Sequence, residues 1–135
     1  MPMYEISVMD SARRIGAGQI RFGKDHPNAN LAELNVTCHT ERRSATVLLD
    51  HHSAVWLMAA LGAFVAGTAQ PPLDRIAVYD VDGRKTGQIQ LHYDHGPIAA
   101  LRLTNHTDRA AAVVAVDRRM ATELMVALGA FVATT

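Results

Sequence analysis

Leu124-Met125-Val126-Ala127-Leu128-Gly129-Ala130-Phe131-Val132-Ala133 repeats, almost word for word, Leu57-Met58-Ala59-Ala60-Leu61-Gly62-Ala63-Phe64-Val65-Ala66. Leu49–Thr68 and Val116–Thr135 are identical at 12 of 20 aligned positions. Chance does not produce that, so the two halves of the chain descend from one unit. Each copy reads as a helix. Leu57, Leu61, Phe64 and Val65 fall on one stripe at helical spacing, and an Asp stands in front of each copy, Asp50 and Asp117. A carboxylate there accepts from the first-turn amides and caps the helix. Gly67 and then Pro71-Pro72 stop the first copy.

Upstream of each helix the period changes from helical to alternating. Tyr4, Ile6 and Val8 alternate with polar residues, then Ile15 to Phe22 resumes an extended pattern after a polar turn from Asp10 to Arg14. Ala32, Leu34, Val36 and Cys38 mark a third strand, and Ala45, Val47 and Leu49 a fourth. Lys24 to Asn30 is a loop, and His39-Thr40-Glu41-Arg42 a tight turn. The second half repeats the order. Ile76 and Val78 match Ile6 and Val8, Gly87-Gln88-Ile89 matches Gly18-Gln19-Ile20, and His106-Thr107-Asp108-Arg109 matches His39-Thr40-Glu41-Arg42. Asp82-Gly83 is a hairpin signal. The expected fold is α+β: two ββββα units, residues 1–69 and 70–135, related by a pseudo-twofold axis as one domain. Two antiparallel sheets are expected, with the helices between or behind them.

The chain has 135 residues, so each half alone would be marginal and the two must share a core. Thirteen basic and 13 acidic residues balance, which excludes the strongly basic class of nucleic-acid binders but not a local patch. Most of the basic residues are Arg, which suits bidentate phosphate contacts. The single Cys38 excludes an internal disulfide and a multi-cysteine metal site. The absence of a charged-then-apolar leader and of an apolar run long enough to cross a bilayer points to a cytoplasmic protein.

Between Asp50 and Asp74 there is no charged residue, and none follows Leu124. The outer stripe of the helices holds Ala59, Ala63 and Ala66 in the first copy, and Ala127 and Ala130 in the second. Both faces of each helix must therefore be covered, by the other helix, the other half's sheet, or another subunit. Trp56 corresponds to Glu123, lies outside the shared core, and reads equally as an interface anchor or as packing against the other half. A homodimer or larger assembly through Trp56, Ala59, Ala63, Ala127 and Ala130 is expected.

Strand alternation puts Gln19, Arg21, Asn35 and Thr37 on the outward face of the first half. On the second it puts Arg75, Tyr79, Gln88, Gln90, His92, Arg102 and Thr104. Arg and amide side chains can bond phosphates and base edges, and Tyr79 and Phe22 can stack bases. Glu5 and Glu33 share the first-half face and favour an ordinary solvated surface there, so the second half is the better candidate. The seven histidines fall mostly in turns. His26 and His95 each follow an Asp, and an Asp in a turn commonly bonds its own backbone. His92-Tyr93-Asp94-His95 offers ligand types, but no further set has metal-site spacing. Cys38 ends an inward pattern and reads as a buried, inert thiol. There is no Gly-rich phosphate loop, nucleophile elbow or paired-carboxylate signature. No metal, cofactor or enzymatic activity is expected.

A tandem ββββα unit that closes on Leu57-Leu61-Phe64-Val65 and Leu124-Leu128-Phe131-Val132 resembles the PUR-repeat and Whirly proteins, and the order of elements covers nearly the whole chain. The Lys-Gly-Lys motif of Whirly type is absent from the second strand; Arg21-Phe22-Gly23-Lys24 is the nearest stretch, and the second half lacks it. The resemblance implies a curved sheet face and hairpins that hold single-stranded DNA or RNA, in dimers or higher oligomers. The function expected is non-catalytic single-stranded nucleic-acid binding through Arg21, Phe22, Arg75, Tyr79, Gln88, Gln90, His92 and Arg102. The rival is a protein-interaction or inhibitor module that assembles through its apolar helices. A His- or metal-dependent enzyme is the third reading.

Overall fold

The computed structural model describes residues 3–23, 30–68, 74–79, 83–93 and 96–135, with the backbone alone for residues 74 and 75. His26, His95, Asp82 and Pro71-Pro72 lie outside the described residues. Each half runs through four strands into a helix: β1 (Tyr4–Met9), β2 (Ile15–Gly23), β3 (Ala32–Cys38), β4 (Arg43–Leu49) and α1 (His51–Ala66), then β5 (Asp74–Tyr79), β6 (Lys85–Tyr93), β7 (Ile98–Asn105), β8 (Ala110–Asp117) and α2 (Arg118–Ala133). The caps form as the sequence requires. Asp50 accepts from the Ser53 amide and Asp117 from the Met120 amide, each at 2.8 Å. Gly67 closes α1 in the left-handed region, φ 70°.

The expectation of two sheets is corrected. The eight strands form one antiparallel sheet in the order β4-β3-β2-β1-β8-β7-β6-β5. β1 and β8 would otherwise each leave an edge of unpaired backbone groups, and they meet at a single registered pair, Met9 with Ala115. That pair sits beside a bulge at Val8/Met9, which increases local twist. The sheet folds over there, and β3 and β4 lie against β7 and β8. Ile20, Leu34, Val36 and Val47 thereby meet Ile89, Leu101, Leu103 and Val114 in one buried layer.

Two glycines permit the close approach. A Cβ at Gly18 would lie 2.8 Å from the Met9 carbonyl oxygen and 2.9 Å from Val114 Cγ1. A Cβ at Gly87 would run into the Thr104 carbonyl and lie 3.3 Å from Val47 Cγ1. Asn105 Nδ2 adds a polar clasp by donating to the Thr46 carbonyl, 2.7 Å.

Each helix covers strands of the opposite half. α1 packs on β5 and β6, and α2 on β1 and β2. The Phe131 ring meets Phe22 edge-on at 5.9 Å, and Phe64 meets Tyr93 at 5.6 Å. Leu61 and Leu128 are fully buried. The helices also pack on each other and run antiparallel, since His51 Nδ1 at the start of α1 lies 2.7 Å from Thr135 Oγ1 just past the end of α2. Met125 Cε comes within 3.3 Å of where a Cβ on Gly62 would stand, and Met58 Cε within 3.6 Å of one on Gly129. The charge-free stretches, α1 and the part of α2 after Glu123, are those in which the helices pack on each other and on the opposite half's strands.

Candidate nucleic-acid interface

The sheet register lines the outward residues into rows across the strands, about 4.8 Å apart per strand. In the first half one row runs Glu5, Arg21, Asn35, Thr46. In the second half the matching row runs Arg75, Gln90, Arg102, Val113. The next row is Ser7, Gln19, Thr37, Ser44 in the first half and Ala77, Gln88, Thr104, Ala111 in the second.

The first-half face is closed on itself. Arg21 Nε lies 3.2 Å from Glu5 Oε1. Asn35 Nδ2 donates to Ser44 Oγ and Thr46 Oγ1, both 2.9 Å, and Thr37 Oγ1 donates to Asn35 Oδ1, 3.0 Å. A nucleic acid there would compete with bonds already made and meet a carboxylate. The second-half face differs at Arg102. Arg102 is exposed and makes no hydrogen bond or ion pair with another described residue. Tyr79 is 52% exposed, Gln88 and Gln90 are half-buried, and His92 is exposed. Neither second-half row contains an Asp or Glu, and Asp117, at outward parity at the end of β8, is taken up by capping α2.

Two expected site residues point the wrong way. Phe22 is fully buried against Phe131, because alternation from Ile20 turns it to the core, so it cannot stack a base. Ala127 is fully buried, since it faces the sheet with Leu124 and Leu128, and it cannot form an outer interface. Ala63 and Ala130 are half-buried, Ala59 is exposed, and Trp56 is 57% exposed with its ring edge-on to His52. The structure does not describe the Arg75 side chain, and the register alone places that residue opposite Gln90. Cys38 is buried, as its strand pattern requires.

The turn from Asp10 to Arg14 carries more than its sequence suggests. The Asp10 carboxylate is buried and accepts from the Arg14 amide (2.8 Å) and the Thr40 hydroxyl (2.9 Å). The Arg14 amide bond is the main cause holding this carboxyl below its ordinary value, with Thr40 adding to it and burial opposing it. Asp10 thus ties the β1–β2 turn to the β3–β4 turn, and its carbonyl accepts from the amide of Arg13, whose φ is 65°. Sequence reading passed over Ser11 and Arg13 because nothing local shows which strands the turn crosses. The Arg13-Arg14 pair was the only signal.

Among the described residues no group of three or more His, Cys, Asp or Glu is placed to hold a metal, and no helix is long and apolar enough to cross a membrane. No protein-family model and no curated protein matches the chain. Among solved structures, the crystal structure of WHY3 from Arabidopsis thaliana is similar to it, with a TM-score of 0.36 and 9% identity, over 96% of this chain and 78% of that one. The chemistry of the face rests on its own residues.

Proposed function

We propose that the chain is a non-catalytic single-stranded nucleic-acid-binding protein that uses the outward face of β5 to β7. One observation carries the reading: matching rows of the two halves hold Glu5-Arg21-Asn35-Thr46, satisfied internally, and Arg75-Gln90-Arg102-Val113, with an unpaired Arg102 and no acid. Arg102 and Arg75 stand two strands apart, so their backbones are about 10 Å from each other. They are read as phosphate contacts on either side of the Gln90 amide, with Tyr79 as the stacking platform. The same reading takes residues 1–69 and 70–135 as pseudo-twofold mates. The reciprocal Met125–Gly62 and Met58–Gly129 contacts support it, as do the matched glycines Gly18 and Gly87.

The experiment is a gel-shift panel of single-stranded DNA, double-stranded DNA and RNA at two salt concentrations. Retention of single strands that weakens with salt is expected. Equal retention of duplex, or none of any species at low salt, would remove the proposal.

A further inference from the structure

Where the sheet folds over at Met9 and Ala115, the β1–β2 turn arches above the outward side of β7 and β8 and encloses a crevice of about 190 Å³. Ser11 and Arg13 line it from the turn, His92 from β6, Ala100 from β7, and Val113 and Ala115 from β8. The crevice is smaller than the roughly 300–1,000 Å³ of sites for drug-sized ligands, so it suits one small planar group and not a whole cofactor. Its floor is flat and apolar, because Ala100 pairs with Ala115 and Val113 lies one outward step along β8. Its fixed cation is Arg13, and the His92 ring stands on the same rim. Arg13 makes no side-chain hydrogen bond or ion pair with a described residue. The Ser11 hydroxyl donates to Glu41 at 2.9 Å and keeps only acceptor capacity for a ligand.

A flat apolar floor with a cationic rim matches one ligand chemistry: an aromatic base carrying a phosphate. The crevice also continues the row argued above, since Val113 pairs directly with Arg102 and His92 with Ala100. We infer that the crevice seats a single nucleotide unit, its base on Ala100, Val113 and Ala115 and its phosphate at Arg13. The inference rests on the single-strand reading of the same face and places one nucleotide of the bound strand at the seam between the halves. A concavity on the first-half face, about 340 Å³ and lined by Glu5, Ser7, Gln19 and His39, has a carboxylate in its lining, which disfavours a phosphate.

The test uses the full chain with adenosine monophosphate, and ribose 5-phosphate as the base-free control. Amide NMR shifts should concentrate at residues 11–13, 92, 100 and 113–115, and be weaker with ribose 5-phosphate. Ala100→Leu fills the floor from an outward, half-buried position, and Arg13→Asn keeps a residue that tolerates positive φ. Each should weaken mononucleotide binding at least tenfold without shifting the melting temperature. Scattered shifts, or unchanged affinity in both folded variants, would overturn the inference. If oligonucleotides bind through Arg102 while Ala100→Leu changes nothing, the face stands and the crevice falls. If mononucleotides bind at the crevice but oligonucleotides do not bind at all, the crevice stands and the single-strand reading falls.

Discussion

In the first half of the sheet the row Glu5, Arg21, Asn35, Thr46 ends in an ion pair and a knot of side-chain hydrogen bonds. In the second half the same strand positions hold Arg75, Gln90, Arg102 and Val113, and Arg102 has no partner among the described residues. The inward rows barely differ: Ile20, Leu34 and Val47 on one side, Ile89, Leu101 and Val114 on the other, all buried. Burial demands one residue class at an inward site whichever half it belongs to. An outward site has no such demand, so the two copies are free to diverge there. One copy of the face is structurally quiet, and the other is left with an exposed charge at Arg102.

The comparison breaks first if the inward rows are not equivalent. Leu61→Ala and Leu128→Ala should each destabilise by roughly 2–5 kcal/mol in denaturant unfolding, since both side chains are fully buried. A large cost at one and none at the other would mean the halves do not share the core equally. Gly87→Ala places a methyl group against the Thr104 carbonyl and Val47, and overpacking of that kind costs about 1–3 kcal/mol.

Outward substitutions should separate the halves without touching stability. Tyr79→Ala should weaken single-strand binding by roughly 1–3 kcal/mol with little change in salt dependence, because stacking is largely uncharged. An unchanged affinity would move the stacking platform off β5.

The smallest effect concerns the Asp10 knot of the β1–β2 turn. Its carboxyl is lowered from 3.8 by the Arg14 amide. The stability it contributes is therefore whole above pH 3.8 and is lost as the pH falls through the lower folded value. Asp10→Asn should remove that part of the acid sensitivity and leave the rest of the profile unchanged. An identical acid limb in the variant would show that the knot is not linked to folding.

The helices, their caps and the succession of strands along the chain were legible because each rests on local chemistry. Asp50 and Asp117 precede their helices directly, and Ala32 to Cys38 alternates without a break. Phe22 was legible too, two residues after Ile20 on the same strand, and its aromatic ring drew the reading away from its inward parity. Ala127 was misplaced because a small residue looks alike on either side of a helix. The single sheet was not legible. It depends on one pair, Met9 with Ala115, brought together across the chain beside a bulge that periodicity does not encode. The crevice was hidden for the same reason, since Ser11 and Arg13 meet Ala100 and Val113 only after the sheet folds over.

The most direct test is the affinity of a labelled single-stranded oligonucleotide, by fluorescence anisotropy across a salt series, for wild type, Arg102→Ala and Arg21→Ala. Wild type should bind more weakly as salt rises. Arg102→Ala should bind all sequences more weakly and flatten the slope of log affinity against log salt by about 0.7, the share of one phosphate contact on a single strand. Arg21→Ala, which loses only its pairing with Glu5, should follow wild type. Equal losses in the two variants, or a wild type that does not bind at low salt, would contradict the assignment of binding to the second-half face.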